Sequence, residues 1–235
     1  MSRRGKQMRT VEIDERPVSL RIRTSARARN MLLSVNPADG GIDLVLPSGT
    51  PLDEGLVFVE SRSRWLAGRL RALPAPVPFS DGAKIPVLGN SYDIRHCQDL
   101  RGGVWMNDDE ILVSGQAEHL ARRMTDWLRR TAKDEISRRA HQKASIVDHQ
   151  VTRISVRDTR TRWGSCTCGG RLSFSWRLVL APISVLDYVV AHEVAHLVEM
   201  NHSRQFWKLV GELTEDAERS KAWLSAYGQT LYRYG

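Results

Sequence analysis

The stretch that most restricts how this chain can fold is "VVAHEVAHLVEMNHSRQFWKLV", residues 189–210, which gathers three of the chain's seven histidines within eleven positions. Pro182 stands where a helix can begin, and Val185, Leu186, Val189, Val190, Val194 and Leu197 after it describe an apolar, largely buried helix. His192 and His196 are then about 40° apart around the axis, so both imidazoles point into one wedge of space and a single tetrahedral ion can accept both. Glu193, offset by about 100°, does not easily join as a ligand from the same turn. It can reach a water bound to the metal, which is the position of a general base.

Such an ion needs a third protein ligand. Glu199 would share the face of a continued helix, but about two turns and some 10 Å from His192, which suits a partner that orients a histidine better than a ligand. His202 would face about 120° away on an unbroken helix and can bind only if the helix ends first. Asn201 is a candidate left-handed terminator, and Ser203 a candidate N-cap for a second helix over "RQFWKLVGEL". Helix, turn and helix around one three-histidine zinc site is therefore the local fold expected.

Upstream, "PVSLRIRT" alternates Val18, Leu20 and Ile22 against Ser19, Arg21 and Arg23, as a strand does, and "RNMLLSVNPADGGIDLVLP" reads as two strands around a turn at Pro37, Asp39, Gly40 and Gly41. Thr50, Pro51 and the acids Asp53 and Glu54 start a helix that should run to about Leu73, where "PAPVP" stops it. Residues 83–114 return to strands, with turns at Gly89-Asn90 and at Asn107 to Asp109. A long helix from Ala117 to about Lys143 carries Leu120, Met124, Trp127, Leu128 and Ile136 on one stripe and a solvated arginine face elsewhere. "VTRISVRDTRTRWGSCTCGGRLSFSWRLVL" then forms a hairpin with Gly169-Gly170 at its tip, feeding the histidine helix. Residues 1–16 are expected to be a disordered basic terminus, 17–116 a β-rich region and 117–235 a second region, with Pro74 to Pro78 as the alternative boundary. No internal repeat is visible.

The formal net charge of +8 favours anionic partners, nucleic acid foremost, but it describes a long-range field and not a site. Three cysteines form no disulfide framework; Cys166 and Cys168 are poorly placed to bridge each other or to build a second zinc site, and a reducing cytoplasm is the natural compartment. No apolar segment follows the basic N-terminus, and no run of about eighteen apolar residues occurs, so neither export nor a membrane span is expected.

The combination "RTRWGSCTCGGRLSFSWRLVLAPISVLDYVVAHEVAHLVEMNHSRQFW" resembles the YgjP-like metallopeptidases, presumed metal-dependent hydrolases akin to the SprT-like and WLM peptidases. The likeness extends to "LPSGTP", to the helix with Trp65 and to "DGAKIPVLGNSYDIRH", as one unit over 18–235. This chain has Ser175 where the family commonly has an asparagine. Metzincins share the histidine spacing, but Glu199 occupies their glycine position and no Met-turn follows. The resemblance implies an α+β fold: a mainly antiparallel N-terminal β region with helices, then a zincin-like helical core with a β-hairpin before the H-E-x-x-H helix. It also implies His192, His196 and His202 as ligands of one zinc ion, Glu193 as catalytic base and a peptide or protein substrate. Arg162 and Trp163 begin a segment that can form the edge along which a peptide lies, although Trp163 and Trp176 are better read as packing under the zinc helix. A nucleic-acid-associated protease acting on DNA-bound protein, as some SprT-like relatives do, is the alternative that the charge motivates.

Overall fold

The computed structural model describes residues 7–37 and 39–235, and the chain divides into two compact units, Met1–Ala75 and Pro76–Gly235. The division falls within Pro74 to Pro78. The strands between residues 84 and 114 go with the histidine helices because Ile85, Val87, Ile94, Ile111 and Val113 join the same core.

In the first unit β1 (Gln7–Ile13), β2 (Arg16–Ser25), β3 (Leu32–Val35) and β4 (Ile42–Pro47) form a sheet in the order β1-β2-β4-β3. Of the stretch expected to be disordered, residues 1–6 lie outside the described residues, and Gln7–Ile13 is a strand paired with β2 from Gln7↔Ile22 to Ile13↔Arg16. Its turn is made by Asp14 and Glu15, both at positive φ, and only Ile13 of the strand is buried. No glycine or asparagine marks that turn, and no sustained apolar alternation marks the strand. Leu20, Ile22, Ile42, Leu44 and Leu46 cover α1 (Leu52–Ser61) and α2 (Ser63–Arg71) through Val59 and Leu66. The single helix expected here breaks at Arg62, whose φ of −106° and ψ of 9° leave the helical region.

In the second unit β5 (Lys84–Val87), β6 (Asn90–Cys97), β7 (Val104–Asn107) and β8 (Glu110–Ser114) repeat the arrangement in the order β5-β6-β8-β7. In both sheets two antiparallel hairpins are joined by a central parallel pair, β2 with β4 and β6 with β8. The sheets are mainly antiparallel, as expected, with one parallel pair at the centre of each. The turn before β6 is Leu88-Gly89, both at positive φ, one residue earlier than expected.

Next, α3 (Leu120–Ile146) buries Leu120, Met124, Leu128, Ala132, Ile136, Ala140 and Ala144. Strict four-residue spacing makes these one stripe that winds slowly round the helix, about 40° per step. The stripe packs against a three-stranded sheet of order β10-β11-β9, formed by β9 (Arg153–Arg157), β10 (Gly164–Cys166) and β11 (Arg171–Ser175), and against α4 (Ile183–Ala195). The expected hairpin is β10 with β11, and β9 adds to β11 in parallel. Then come α5 (Arg204–Leu213) and α6 (Ala217–Tyr227). The fold is α+β, and no described helix is long and apolar enough to cross a membrane.

Candidate metal centre

α4 is apolar almost all round. Val185, Leu186, Val189, Val190, Ala191, Val194 and Ala195 are buried, so the helix is fixed in the core and its polar residues are held rather than solvated. It is anchored further by Asp187, which accepts hydrogen bonds from Arg139 (2.6 Å) and Lys143 (2.9 Å) of α3 and from the Thr214 hydroxyl beyond α5 (2.8 Å).

The helix ends at Ala195, with His196 as its C-cap. Its last turn tightens: the Leu197 N–H bonds to the Val194 carbonyl (2.9 Å) and the Val198 N–H to that of Ala195 (3.1 Å), each three residues back. Asn201 has no positive φ and does not terminate the helix, which stops six residues before it. Glu199 therefore leaves the helical face. It meets His196 through its main chain: the carbonyl oxygen lies 3.0 Å from His196 Nδ1. A carbonyl only accepts, so Nδ1 carries the proton and Nε2 keeps its lone pair. Ser203 caps α5, its hydroxyl accepting from the Phe206 N–H at 3.2 Å.

These turns bring His192, His196 and His202 together, with one potential ligand nitrogen from each ring within 4.8 Å of the others. His192 Nε2 and His202 Nε2 are 3.2 Å apart. Two nitrogens bound tetrahedrally at the usual Zn–N length lie about 3.3 Å apart, so the pair is spaced as co-ligands are. Burial, with the neighbouring imidazoles and Lys221, pushes the His192 imidazole down to about 4, leaving it neutral and free to donate a lone pair. The donor set fits a divalent ion that prefers imidazole nitrogen. Beneath the three rings lies Phe206, fully buried, with ring centroids 4.9, 4.5 and 4.8 Å from His192, His196 and His202. Trp207 stacks on His202.

Glu193 is buried beside this cluster, and burial pushes its carboxyl up to about 7 against the opposing pull of the Arg162 guanidinium. Its neighbour is β10. A Cβ on Gly164 would come within 2.5 Å of Glu193 Cγ and Oε1, so the absence of a side chain there gives the glutamate its space. This role of Gly164 went unread in the sequence, although a glycine inside a strand is a known mark of close approach. Phe206 was also missed; its three-residue offset from the Ser203 cap is the available clue.

β10 is an edge strand. The Ser175 N–H bonds to the Trp163 carbonyl (2.8 Å) and the Thr167 N–H to that of Arg171 (3.1 Å), bracketing the ladder. Antiparallel alternation then directs Ser165 at β11 and the main-chain N–H and C=O of Gly164 and Cys166 at the open edge. The Trp163 ring packs against the main core, 5.3 Å from the ring of Tyr232 and against Gly228 at the C-terminal turn. Tyr232 donates its hydroxyl to the Thr159 carbonyl (2.9 Å), and Arg177 ties the same turn to Asp158 (2.8 Å) and to the Tyr234 carbonyl (2.8 Å). Cys166 and Cys168 are free and stand outside the histidine cluster.

Among known proteins, the family model described as YgjP-like, metallopeptidase domain, matches residues 29–227. No curated protein and no solved structure matches the chain. With most of its length matched and three imidazoles converging beside a buried glutamate, the chain belongs to the YgjP-like metallopeptidase family.

Proposed function

We propose that the chain is a zinc-dependent peptidase, with one zinc ion held by His192, His196 and His202 and with Glu193 as general base. The observation that carries this reading is the convergence of three ring nitrogens within 4.8 Å beside the buried Glu193 carboxylate. Three histidines leave a coordination position open, which suits catalysis better than a closed structural site. Bound there, zinc would supply a Lewis acid for a peptide carbonyl and lower the pKa of a water to about 7. Glu193, whose surroundings raise its proton affinity, would take a proton from the attacking water and return it to the leaving amine. Glu199 would orient His196 through its carbonyl. The open edge of β10 would align an extended substrate by main-chain hydrogen bonds at Gly164 and Cys166. Three free cysteines favour a reducing compartment, the cytoplasm.

Elemental mass spectrometry of the purified wild type and of His202→Ala tests the site: about one zinc per wild-type chain and marked loss in the variant are expected. A peptide library then tests the activity. Zinc-loaded wild type should cleave, and Glu193→Gln should retain zinc while losing cleavage by about 100-fold or more. Failure of the wild type to hold zinc after reconstitution would end the reading, as would equal cleavage by the Gln variant.

A further inference from the structure

The sheet that carries β10 has a second face, and it is strongly cationic. Leu172 and Phe174 on β11 point into the core, with Ile154 and Val156 of β9 packed on the same side. The alternate residues therefore project outward. They include Arg153 and Arg157 on β9 and Arg171 on β11, which with Arg162 just before β10 surround a cleft of about 330 Å3. Ser165, Ser173 and Ser155 lie side by side across the three strands and form a floor of small hydroxyl groups.

Among the described residues no carboxylate forms an ion pair with Arg153, Arg157, Arg162 or Arg171. No carboxylate lines the cleft, and Asp158, the nearest acid in sequence, is occupied by Arg177 at 2.8 Å. Arg153 and Arg171 are directly opposite each other in the β9–β11 register. Like charges so placed oppose strand pairing, so the pair is not explained by stability. An anion in the cleft would relieve the repulsion.

The position of the cleft restricts the anion. Ser165 belongs to the open-edged strand and adjoins Gly164, which lies against the Glu193 side chain, so one wall borders the candidate centre. A peptide paired with that edge would alternate its side chains between the α4 side and the arginine side. No aromatic residue lines the cleft, so it offers no stacking platform for bases. We propose that the arginine cleft is a specificity subsite for acidic side chains at alternate positions of an extended peptide lying along β10. The inference rests on the peptidase reading and extends it to the class of substrate.

The test uses the zinc-reconstituted full chain and three fluorescent probes: a twelve-residue peptide with glutamate at alternate positions, its glutamine counterpart and a twelve-nucleotide oligothymidine. Anisotropy should show the glutamate peptide binding about tenfold or more tighter than the glutamine peptide, with Arg153→Ser/Arg171→Ser reducing that ratio to about two or less. The charge-reversed Arg153→Glu/Arg171→Glu protein should instead prefer a lysine counterpart, a gain that an unfolded variant does not give. Equal binding of the glutamate and glutamine peptides by wild type, or a preference unchanged by the serine pair, overturns the proposal. So does oligothymidine bound more tightly than the glutamate peptide through the same arginines. Cleavage of both peptides separates the two readings. Cutting without acidic preference removes the subsite and leaves the peptidase; arginine-dependent binding of the glutamate peptide with neither peptide cut keeps the arginine cleft as a binding site and counts against the peptidase.

Discussion

At Gly164 the space beside Glu193 is set by a hydrogen atom. A methyl group there would meet the glutamate side chain at 2.5 Å, so Gly164→Ala must move Glu193 or part β10 from α4. A base displaced by about 1 Å loses roughly 100-fold in rate. We expect Gly164→Ala to keep about one zinc per chain and to lose cleavage on that scale, measured as kcat beside elemental analysis; full activity would mean that the strand yields freely. Phe206 has the complementary part, holding the rings and not the base. Phe206→Ala should cost about 3 to 5 kcal/mol of stability, as loss of a buried aromatic does, and should weaken zinc retention in a chelator titration. The two kinds of residue differ in how far the sequence reveals them. His192, Glu193 and His196 are legible because their spacing on a helix is itself the chemistry. Gly164 lies 29 positions before Glu193 in the chain, and its importance appears only when strand and helix are brought together.

Among the secondary-structure elements, α4 is held by the ion pairs around Asp187. Burial alone would raise the Asp187 carboxyl, but hydrogen bonds from Lys143, Arg139 and Thr214 outweigh it and hold the carboxyl below its ordinary value. A depressed folded-state pKa stabilises the protein above the unfolded-state value, about 3.9, and that contribution is lost as pH falls through the lower folded value. Asp187→Asn should therefore cost about 3 kcal/mol at neutral pH, because Lys143 is left buried without its counter-charge. In urea unfolding, the gap between wild type and variant should narrow as pH drops below about 4; a constant gap down to about pH 2 would refute the linkage. The helices themselves were largely readable, since Pro182 and Ser203 mark their starts in local chemistry. Where α4 stops was not. Asn201 had the right residue type for a terminator, yet the helix tightens and ends at Ala195, before Asn201 is reached. β1 escaped for another reason: Asp14 and Glu15 take positive φ without glycine, and the strand is stabilised by its ladder rather than by an apolar face.

Across the whole molecule, the same four-stranded arrangement is built twice from dissimilar sequences, once in each unit. Alternation identifies strands, but pairing partners are chosen by the packed fold, so the central parallel pairs were invisible in the chain. The boundary has a functional consequence. His192, Glu193, His196, His202, the Gly164 strand and Phe206 all fall within Pro76–Gly235, whose core runs from Phe79 to Leu231. A domain of about 150 residues buries roughly 70% of its extended-chain surface, enough for independent folding. The 76–235 fragment expressed alone should therefore unfold cooperatively and bind about one zinc per chain, measured by calorimetry and elemental analysis. The first unit would then be needed for something other than building the metal centre. A fragment that stays unfolded, or that folds without retaining zinc, would instead make the first unit part of what holds the centre together.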